Sequence, residues 1–335
     1  MKNRTFRPGL DAYFLPVELP EEMPAIRYGR PVLAMGSCFA SEMGERLQRY
    51  KFEVCLNPMG IMYHPLAIAK AFRYFSSVEE LEAGSLFESQ GIWQHNDFHG
   101  SLGHFDRTVA LQQMQGAIEQ GRRGLEASEV VLLTLGTAFV YEDLASQAVV
   151  ANCHKRPSGS FRKFRLGPDD VARALREVYE ACAGRELLLT VSPVRHARDG
   201  LIENQRSKAA LLLGAEAAAA WPGVFYFPSY ELLIDELRDY RFYDSDRVHP
   251  TPEAADYIWA ALVEAAMDRP ARLQMAAVGK LLKRLRHRPL FPGSPAHREY
   301  LELCLEKIAE LRQAFPRLDF SAEAAEVEQA LRQFF

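Results

Sequence analysis

The sequence predicts an α/β fold with a central parallel sheet of about five strands and an α-helical extension at the C-terminal end. Two observations predict the sheet. Short, continuously apolar runs are typical of strands buried on both faces, and they occur at residues 31–35, 52–56, 130–135, 187–191 and 224–227. Helical patterns at residues 169–182 and 203–220 precede the last two runs, and this alternation favours parallel strands joined by crossover helices.

The turn after the first run carries the first candidate functional residue. Apolar residues recur there at helical spacing, at Phe39, Met43, Leu47 and Tyr50. Ser37 therefore lies between a strand and a helix N-terminus, and open parallel sheets bind ligands outside the carboxyl ends of their strands. This placement favours a functional serine, and a serine that caps the helix is the structural alternative.

The second candidate motif follows the last strand. Asp246 precedes His249 by three residues, and Thr251 and Pro252 read as the N-cap and first residue of a helix. A serine hydroxyl attacks when an imidazole takes its proton, and the imidazole needs an acidic partner. The sequence thus predicts Ser37 as nucleophile, His249 as base and Asp246 as its orienting carboxylate, with a non-catalytic capping pair as the alternative.

Composition limits the partners and the compartment. The chain has 335 residues, a formal charge of -4 and a pI near 6.2, which disfavours nucleic acid as a partner. No apolar stretch approaches the roughly 20 residues of a transmembrane segment, and the N-terminus lacks the apolar run of a secretory signal. We expect a soluble, cytoplasmic protein. The sequence leaves open whether it forms a homo-oligomer. The five cysteines lack CxxC spacing, so reduced thiols are expected, with Cys38 as a small buried residue.

Two regions and the C-terminal end depart from the strand–helix pattern. Residues 76–128 lack a comparable strand signal, residues 142–168 look irregular, and both are interpreted as loop insertions in a catalytic domain at residues 1–269. Past residue 270, two apolar helical faces follow, one at Val278, Leu281, Leu282 and Leu285 and one at Leu301, Leu305, Ile308, Leu311 and Phe315. Prolines separate them, so residues 270–335 are predicted to form a helical hairpin.

Other polar clusters are candidate sites. His95, His99 and His104 lie close together, but Gly100 and Gly103 interrupt any regular helix, which disfavours a metal site and favours substrate-loop histidines, with His99 lining the pocket.

Ser192 and His196 offer a second serine and histidine. A role in organising the loop or in binding a polar substrate group fits this region better, and it is expected for Arg195, His196 and the downstream Asn204 and Lys208. No metal or organic cofactor is expected.

Several segments of the sequence resemble the motifs of a known family. Residues 35–40, Met-Gly-Ser-Cys-Phe-Ala, look like the eponymous motif of the GSCFA family, which is grouped with the SGNH (GDSL-like) hydrolases. Further blocks resemble it at residues 57–63, 135–141, 150–155, 192–196 and 238–243, and the resemblance covers residues 1–265. It implies a flavodoxin-like three-layer sandwich of the SGNH type.

The resemblance also implies roles for individual residues. Ser37 stands at the nucleophile position, Gly60 where a backbone N–H binds the oxyanion, and Asp246 with His249 in the last block. The third block is usually Gly-x-Asn, whereas Gly136-Thr137-Ala138 lacks the amide, so the candidate substitutes are Thr137 and Asn152.

The expected activity is cleavage of an acyl ester, with acetyl groups on carbohydrate as the substrate class that the resemblance suggests. An acyltransferase that uses the same acyl-enzyme and a non-catalytic binding protein that keeps the fold are the alternatives.

Overall fold

The computed structural model describes residues 15–77 and 81–334. Its strands, in chain order, are β1 (Val32–Gly36), β2 (Val54–Leu56), β3 (Phe87–Ser89), β4 (Ile92–Gln94), β5 (Val130–Leu135), β6 (Phe139–Asp143), β7 (Ala148–Val150), β8 (Phe161–Arg165), β9 (Glu186–Val191) and β10 (Val224–Phe227). The five predicted strands form one parallel sheet in the order β2-β1-β5-β9-β10. This is the order of flavodoxin-like doubly wound sheets, and it confirms the predicted fold class.

Helices cover both faces of the sheet. They are α1 (Cys38–Arg49), α2 (Pro65–Ser76), α3 (Arg107–Ala127), α4 (Pro168–Ala181), α5 (Leu201–Ala219), α6 (Ser229–Glu231), α7 (Pro252–Ala266), α8 (Arg269–Leu285), α9 (Pro295–Ala314) and α10 (Ser321–Arg332). Because side chains alternate along a strand, Leu33 and Met35 of β1 pack with α2 to α5, whereas Val32 and Ala34 pack with α1 and α7. The result is three layers around two apolar cores.

The predicted insertion at residues 76–128 is only partly a loop. It contains the β3–β4 hairpin, but α3 is a core helix that connects β2 to β5 and buries Met114 and Ile118. Its glycines hide the helix in the sequence, and they are needed for close packing: a Cβ on Gly121 would lie 2.1 Å from the Phe75 ring, and one on Gly124 2.5 Å from the Cys55 sulfur. The second predicted insertion holds the antiparallel sheet β7-β6-β8.

The C-terminal extension consists of three helices, α8 to α10, rather than the predicted hairpin. They enclose a third apolar cluster that includes Leu281, Ile308 and Phe320. The extension reaches the α/β domain through a salt bridge between Lys51 and Glu323, 2.5 Å long. Within residues 15–77 and 81–334, no helix is long and apolar enough to cross a membrane.

Candidate active site

The turn between β1 and α1 is pressed against the end of β5. Gly36 has a φ of +134°, and a Cβ placed on it would lie 2.1 Å from the carbonyl oxygen of Thr134. The N–H of Ser37 donates to the same oxygen at 3.0 Å. Only glycine fits here, because the backbone of β5 occupies the space of a side chain and the φ is positive.

A second segment, residues 57–63, holds this turn from the other side. The Gly36 N–H donates to the side-chain oxygen of Asn57 at 2.9 Å, and the Gly36 carbonyl accepts from Met62 N–H at 2.9 Å. The Tyr63 carbonyl then accepts from the N–H groups of Gly136 and Thr137, at 2.8 and 2.9 Å.

Residues 57–63 therefore join the carboxyl ends of β1 and β5. In this strand order the chain switches direction between these two strands, and ligands of open α/β sheets bind at such a switch point.

Ser37 lies at this point but faces the interior. The residue is 1% exposed, and its Oγ has no hydrogen-bond partner among the described residues. It occupies the N-cap position of α1 without a side-chain cap bond, so the capping alternative is wrong. The structure also contains no hydrogen bond between Ser37 and His249 within the described part of the chain. A buried, unpaired hydroxyl costs about 1–3 kcal/mol, so its presence calls for a physical reason.

Asp246 and His249 form a hydrogen-bonded pair. The distance from Asp246 Oδ2 to His249 Nδ1 is 2.6 Å, while Oδ1 accepts from the N–H groups of Val248 and His249 at 2.8 and 3.0 Å. The imidazole and then these N–H groups lower the pKa of Asp246 to about 2. Thr251 caps α7 through its own hydroxyl, which accepts from Ala254 N–H at 3.2 Å. The pair is therefore not a helix cap.

The geometry of this pair suits a general base. With Nδ1 bound to the carboxylate, Nε2 is the nitrogen that can accept a proton. It makes no hydrogen bond within residues 15–77 and 81–334, and the His249 side chain is 51% exposed. The carboxylate thus orients the imidazole through Nδ1, and Nε2 is available to accept a proton.

The loop after β9 fastens this pair to the sheet edge. Arg195 donates its backbone N–H to Val248 at 3.2 Å and its guanidinium to the Arg247 carbonyl at 3.1 Å. The next residue, His196, packs its ring edge-on against the Tyr63 ring, with centroids 5.6 Å apart. Because Tyr63 also binds the end of β5, the Asp246–His249 pair and the β1–α1 turn share one edge of the sheet.

A buried lysine, Lys208 of α5, ties two more strands together at this edge. Its Nζ donates to the carbonyls of Gly136 and Ser192, both at 2.7 Å, and the residue is 1% exposed. Burial lowers the pKa of Lys208 to about 7. The Lys208 side chain thereby fixes the ends of β5 and β9. From the sequence, Lys208 was expected to organise the loop after β9 or to bind a polar substrate group, and these contacts support the first role.

The donors of Gly60 and Thr137, two of the predicted oxyanion residues, are engaged elsewhere. Gly60 donates its N–H to the Asn57 carbonyl at 2.7 Å. Its φ is +82°, and a Cβ placed on it would lie 2.2 Å from the Cβ of His99. The Thr137 hydroxyl hydrogen-bonds Ser207 Oγ at 3.0 Å in a buried network. Asn152 uses its side-chain oxygen to accept the His154 N–H at 2.9 Å.

Gly136 likewise donates its N–H to Tyr63, as described above. The structure therefore places Gly60, Gly136 and Thr137 near the turn as scaffold, with their donors occupied.

The remaining histidines make local contacts. The Nδ1 atoms of His95 and His104 accept backbone N–H groups two residues on, at 3.1 and 3.0 Å, and His99 Nδ1 lies 2.9 Å from Ser101 Oγ. No group of three or more His, Cys, Asp or Glu residues suited to a metal ion occurs in the described part of the chain. Ser192 is 1% exposed and accepts from the Val194 N–H at 3.3 Å, so the alternative pair of Ser192 with His196 is not formed.

A cavity of about 510 Å³ opens beside the Asp246–His249 pair. Its lining combines arginines with exposed apolar and aromatic side chains, from Arg195, Ala197, Leu201, Tyr240, Asp246, Arg247 and Val248. The Arg195 guanidinium lies 3.9 Å from the centre of the Tyr243 ring, which holds it against the wall of this cavity. An organic substrate of moderate size fits in this space, whose wall includes Asp246 of the pair.

Replacing Lys208 with methionine should change how stability depends on pH. Between the folded pKa of about 7 and the ordinary 10.5, the unfolded chain binds more protons than the native protein. The free energy of unfolding of the wild type should therefore rise with pH over this range, by at most about 1.4 kcal/mol per unit, relative to Lys208→Met. Urea unfolding at neutral and alkaline pH measures the difference. The exposed Lys280→Met is the control, and parallel pH curves for wild type and Lys208→Met would contradict the buried lysine.

Comparisons with known proteins agree with the motifs. The model of the GSCFA family matches residues 31–262, and the model of the GSCFA domain protein, C-terminal domain, matches residues 278–333. A search of curated proteins gives no match. The first match covers more than half of the chain and contains the turn, the segment at residues 57–63 and the Asp246–His249 pair. The chain belongs to the GSCFA family, and its last three helices include that family's C-terminal domain.

Proposed function

We propose that this protein is an acyl-transfer enzyme of the SGNH type that cleaves an acyl ester through a covalent acyl-enzyme. The observation that carries the proposal is the Asp246–His249 pair, which is oriented by three hydrogen bonds and whose carboxylate residue lines a cavity. The parallel strand order and the position of the site at the switch point support the placement in that superfamily.

The residues act in a fixed order in this proposal. Ser37, at the β1–α1 turn, attacks the ester carbonyl while His249 Nε2 takes its proton. Asp246 holds the imidazole in the tautomer with the proton on Nδ1 and stabilises the cation that forms. His249 then protonates the leaving alcohol, and water releases the acid in the reverse sequence. These steps require neither a metal ion nor an organic cofactor.

The cavity favours a substrate with an apolar or ring-shaped face. Tyr240 is 58% exposed and Leu201 is 54% exposed at its wall, and Arg195 adds hydrogen-bond donors. An acetylated carbohydrate fits this combination, because sugar rings pack on aromatic faces and their hydroxyls accept from arginine. An alcohol bound in the same cavity in place of water would make the reaction an acyl transfer.

The burial of Ser37 favours a second candidate, a binding protein that keeps the fold without catalysis. The Ser37 hydroxyl is enclosed, and the N–H groups of Gly60 and Gly136 are engaged in backbone hydrogen bonds. Hydrolysis of short p-nitrophenyl esters, from acetate to octanoate, separates the two candidates. Absence of turnover across this series by the folded wild type would favour the binding protein.

An Asp246→Asn variant tests the carboxylate in particular. It should lower kcat by about 10²-fold, at the weak end of the range for acid–base groups, because the pair is half exposed to water. The matched control is Asp244→Asn, two residues earlier in the same loop. Among the described residues, its carboxylate accepts the N–H of Ser245 alone, at 2.6 Å. Equal rates for the two variants would contradict the role of Asp246.

A further inference from the structure

A segment of the C-terminal region concentrates positive charge. Residues 269–298 contain eight of the 40 Lys and Arg residues of the chain and none of its 44 Asp and Glu residues. The chain as a whole has a formal charge of -4, so its charges are unevenly distributed. The segment comprises helix α8, the loop after it and the first turn of α9. None of it belongs to the candidate active site.

Helix α8 presents this charge to the solvent. Its apolar face buries Val278 and Leu281 in the third apolar cluster, while the cations near its C-terminal end lie away from that face and are exposed. No ion pair engages these cations within the described part of the chain, whereas Arg298 in α9 pairs with Glu302 at 3.0 Å. We call the following exposed residues the basic patch: Lys280, Lys283, Arg284, Arg286 and Arg288.

Two adjacent apolar side chains, Leu290 and Phe291, follow the basic patch in the loop between α8 and α9. We call them the apolar tip, and they are 85% and 71% exposed. Pro289 and Pro292 flank the tip and prevent the helix from continuing through it. Scattered exposed apolar residues are ordinary, but two neighbouring ones beside unpaired cations form an apolar surface with a charged border. Such surfaces are typical of interaction sites.

The chemistry of the patch and the tip matches an anionic lipid surface. Lys and Arg are attracted to anionic headgroups, and apolar side chains leave water when they enter the boundary between headgroups and acyl chains. A nucleic acid is bound mainly through cations on its phosphates, which leaves the apolar tip without a role. The lipid surface is therefore the partner that uses both features.

The basic patch lies at the end of the molecule opposite the candidate active site. A Cβ placed on Gly279, next to the patch, would lie 3.2 Å from the ring of Tyr50, which follows the last residue of α1. The candidate site is at the first residue of α1, and a helix of 12 residues is about 18 Å long. A surface bound at the patch thus leaves the cavity beside Asp246 open.

We propose that the basic patch and the apolar tip bind this protein to the surface of a bilayer that contains anionic lipids. The tip enters the headgroup boundary, and the cations hold anionic headgroups around it. This inference goes beyond the proposed function and does not depend on it, because the residues involved are separate from the candidate active site.

Co-sedimentation of the full-length protein with vesicles is the first test. Vesicles of phosphatidylcholine are compared with vesicles in which about a third of the lipid is phosphatidylserine. The protein should bind the anionic vesicles at about 0.1 M salt, and the partition coefficient should fall at least about tenfold at about 0.5 M salt or without phosphatidylserine. Absence of binding to the anionic vesicles, or equal binding to both kinds, would overturn the proposal.

A charge variant tests the basic patch. Lys280→Gln combined with Lys283→Gln should lower the partition coefficient on anionic vesicles by about 30-fold, because each cation near such a surface contributes about fivefold. The matched control is Arg123→Gln combined with Arg173→Gln, which removes the same charge from the exposed sides of α3 and α4 and should bind like the wild type. Equal losses in the two double variants would show that net charge, and not the patch, controls binding.

A second variant separates a lipid surface from other anionic partners. Leu290→Ser combined with Phe291→Ser should lower binding to anionic vesicles by at least about tenfold, while Leu144→Ser, at a residue that is 53% exposed after β6, should not. Urea unfolding checks that each variant folds. Unchanged binding of the tip variant would overturn the insertion of the tip. A wild type that binds a DNA duplex more tightly than the vesicles at the same salt would replace the lipid surface with nucleic acid.

Fluorescence quenching reports the depth of the tip directly. A Phe291→Trp protein bound to anionic vesicles with brominated acyl chains should lose more fluorescence than the bound wild type, because bromine quenches only nearby indoles. Leu144→Trp is the control and should be quenched no more than the wild type. Equal quenching of the two tryptophan variants on vesicles that bind both proteins would contradict insertion of the apolar tip.

Discussion

Replacing His249 with alanine is expected to lower kcat/KM for ester cleavage by about 10³-fold or more while the protein stays folded. The imidazole is half exposed, and its one side-chain hydrogen bond in the structure is to Asp246, so few packing contacts are lost. The variant loses the only group of the pair that can move a proton, because the Asp246 carboxylate has a pKa of about 2 and stays ionised at neutral pH.

Because His249 is half exposed, its variant can also be tested by chemical rescue. Imidazole added to the buffer can enter the space left by the side chain, so it should restore part of the activity of His249→Ala and none of the activity lost in a nucleophile variant. His287→Ala, an exposed histidine in the C-terminal extension, is the control and should keep wild-type rates. A His249→Ala protein that hydrolyses esters at the wild-type rate would rule out His249 as the base.

Replacing Gly36 with alanine is expected to lower the free energy of unfolding by about 4 kcal/mol. The new Cβ would lie 2.1 Å from the backbone oxygen of Thr134, and a φ of +134° is itself strained for any other residue. Either β1 and β5 separate at their carboxyl ends or the turn moves, and both changes displace Ser37 and Cys38. Urea unfolding measures the loss, and ester hydrolysis of the folded fraction measures the displacement.

The control for this change is another glycine-to-alanine substitution in open space. Gly116 lies in α3 with no heavy atom within 4 Å of the Cβ position, so Gly116→Ala should gain up to about 1 kcal/mol through helix propensity. A Gly36→Ala protein as stable as the wild type would show that the turn is not held against β5.

The sheet was predictable because buried parallel strands are apolar along their whole length. Each of the five runs therefore stands out in the sequence, whereas the flavodoxin-like strand order was expected only from the family resemblance. Helix α3 was missed for the opposite reason. Gly121 and Gly124 lie where the helix packs closely and where an amphipathic helix usually has large apolar residues. The apolar periodicity of the sequence is therefore weak.

Part of the site was predictable from the sequence, and part was not. The spacing of Asp246 and His249 is local, and three residues within one turn are enough to bring their side chains into contact. The burial of the Ser37 side chain depends on the backbone of Gly36 and on the strand behind it, and neither is visible in the motif. The contacts of Lys208 are hidden in the same way, because its partners at the ends of β5 and β9 lie 72 and 16 residues away along the chain.

The acyl-enzyme is the central claim, and mass spectrometry of the quenched reaction tests it most directly. Wild-type protein mixed with p-nitrophenyl acetate, quenched in acid and digested should carry one acetyl group on the peptide that contains the β1–α1 turn. The same adduct should be absent after Ser37→Ala. Turnover with no adduct on that peptide, or an adduct elsewhere in the chain, would contradict covalent catalysis at this edge of the sheet.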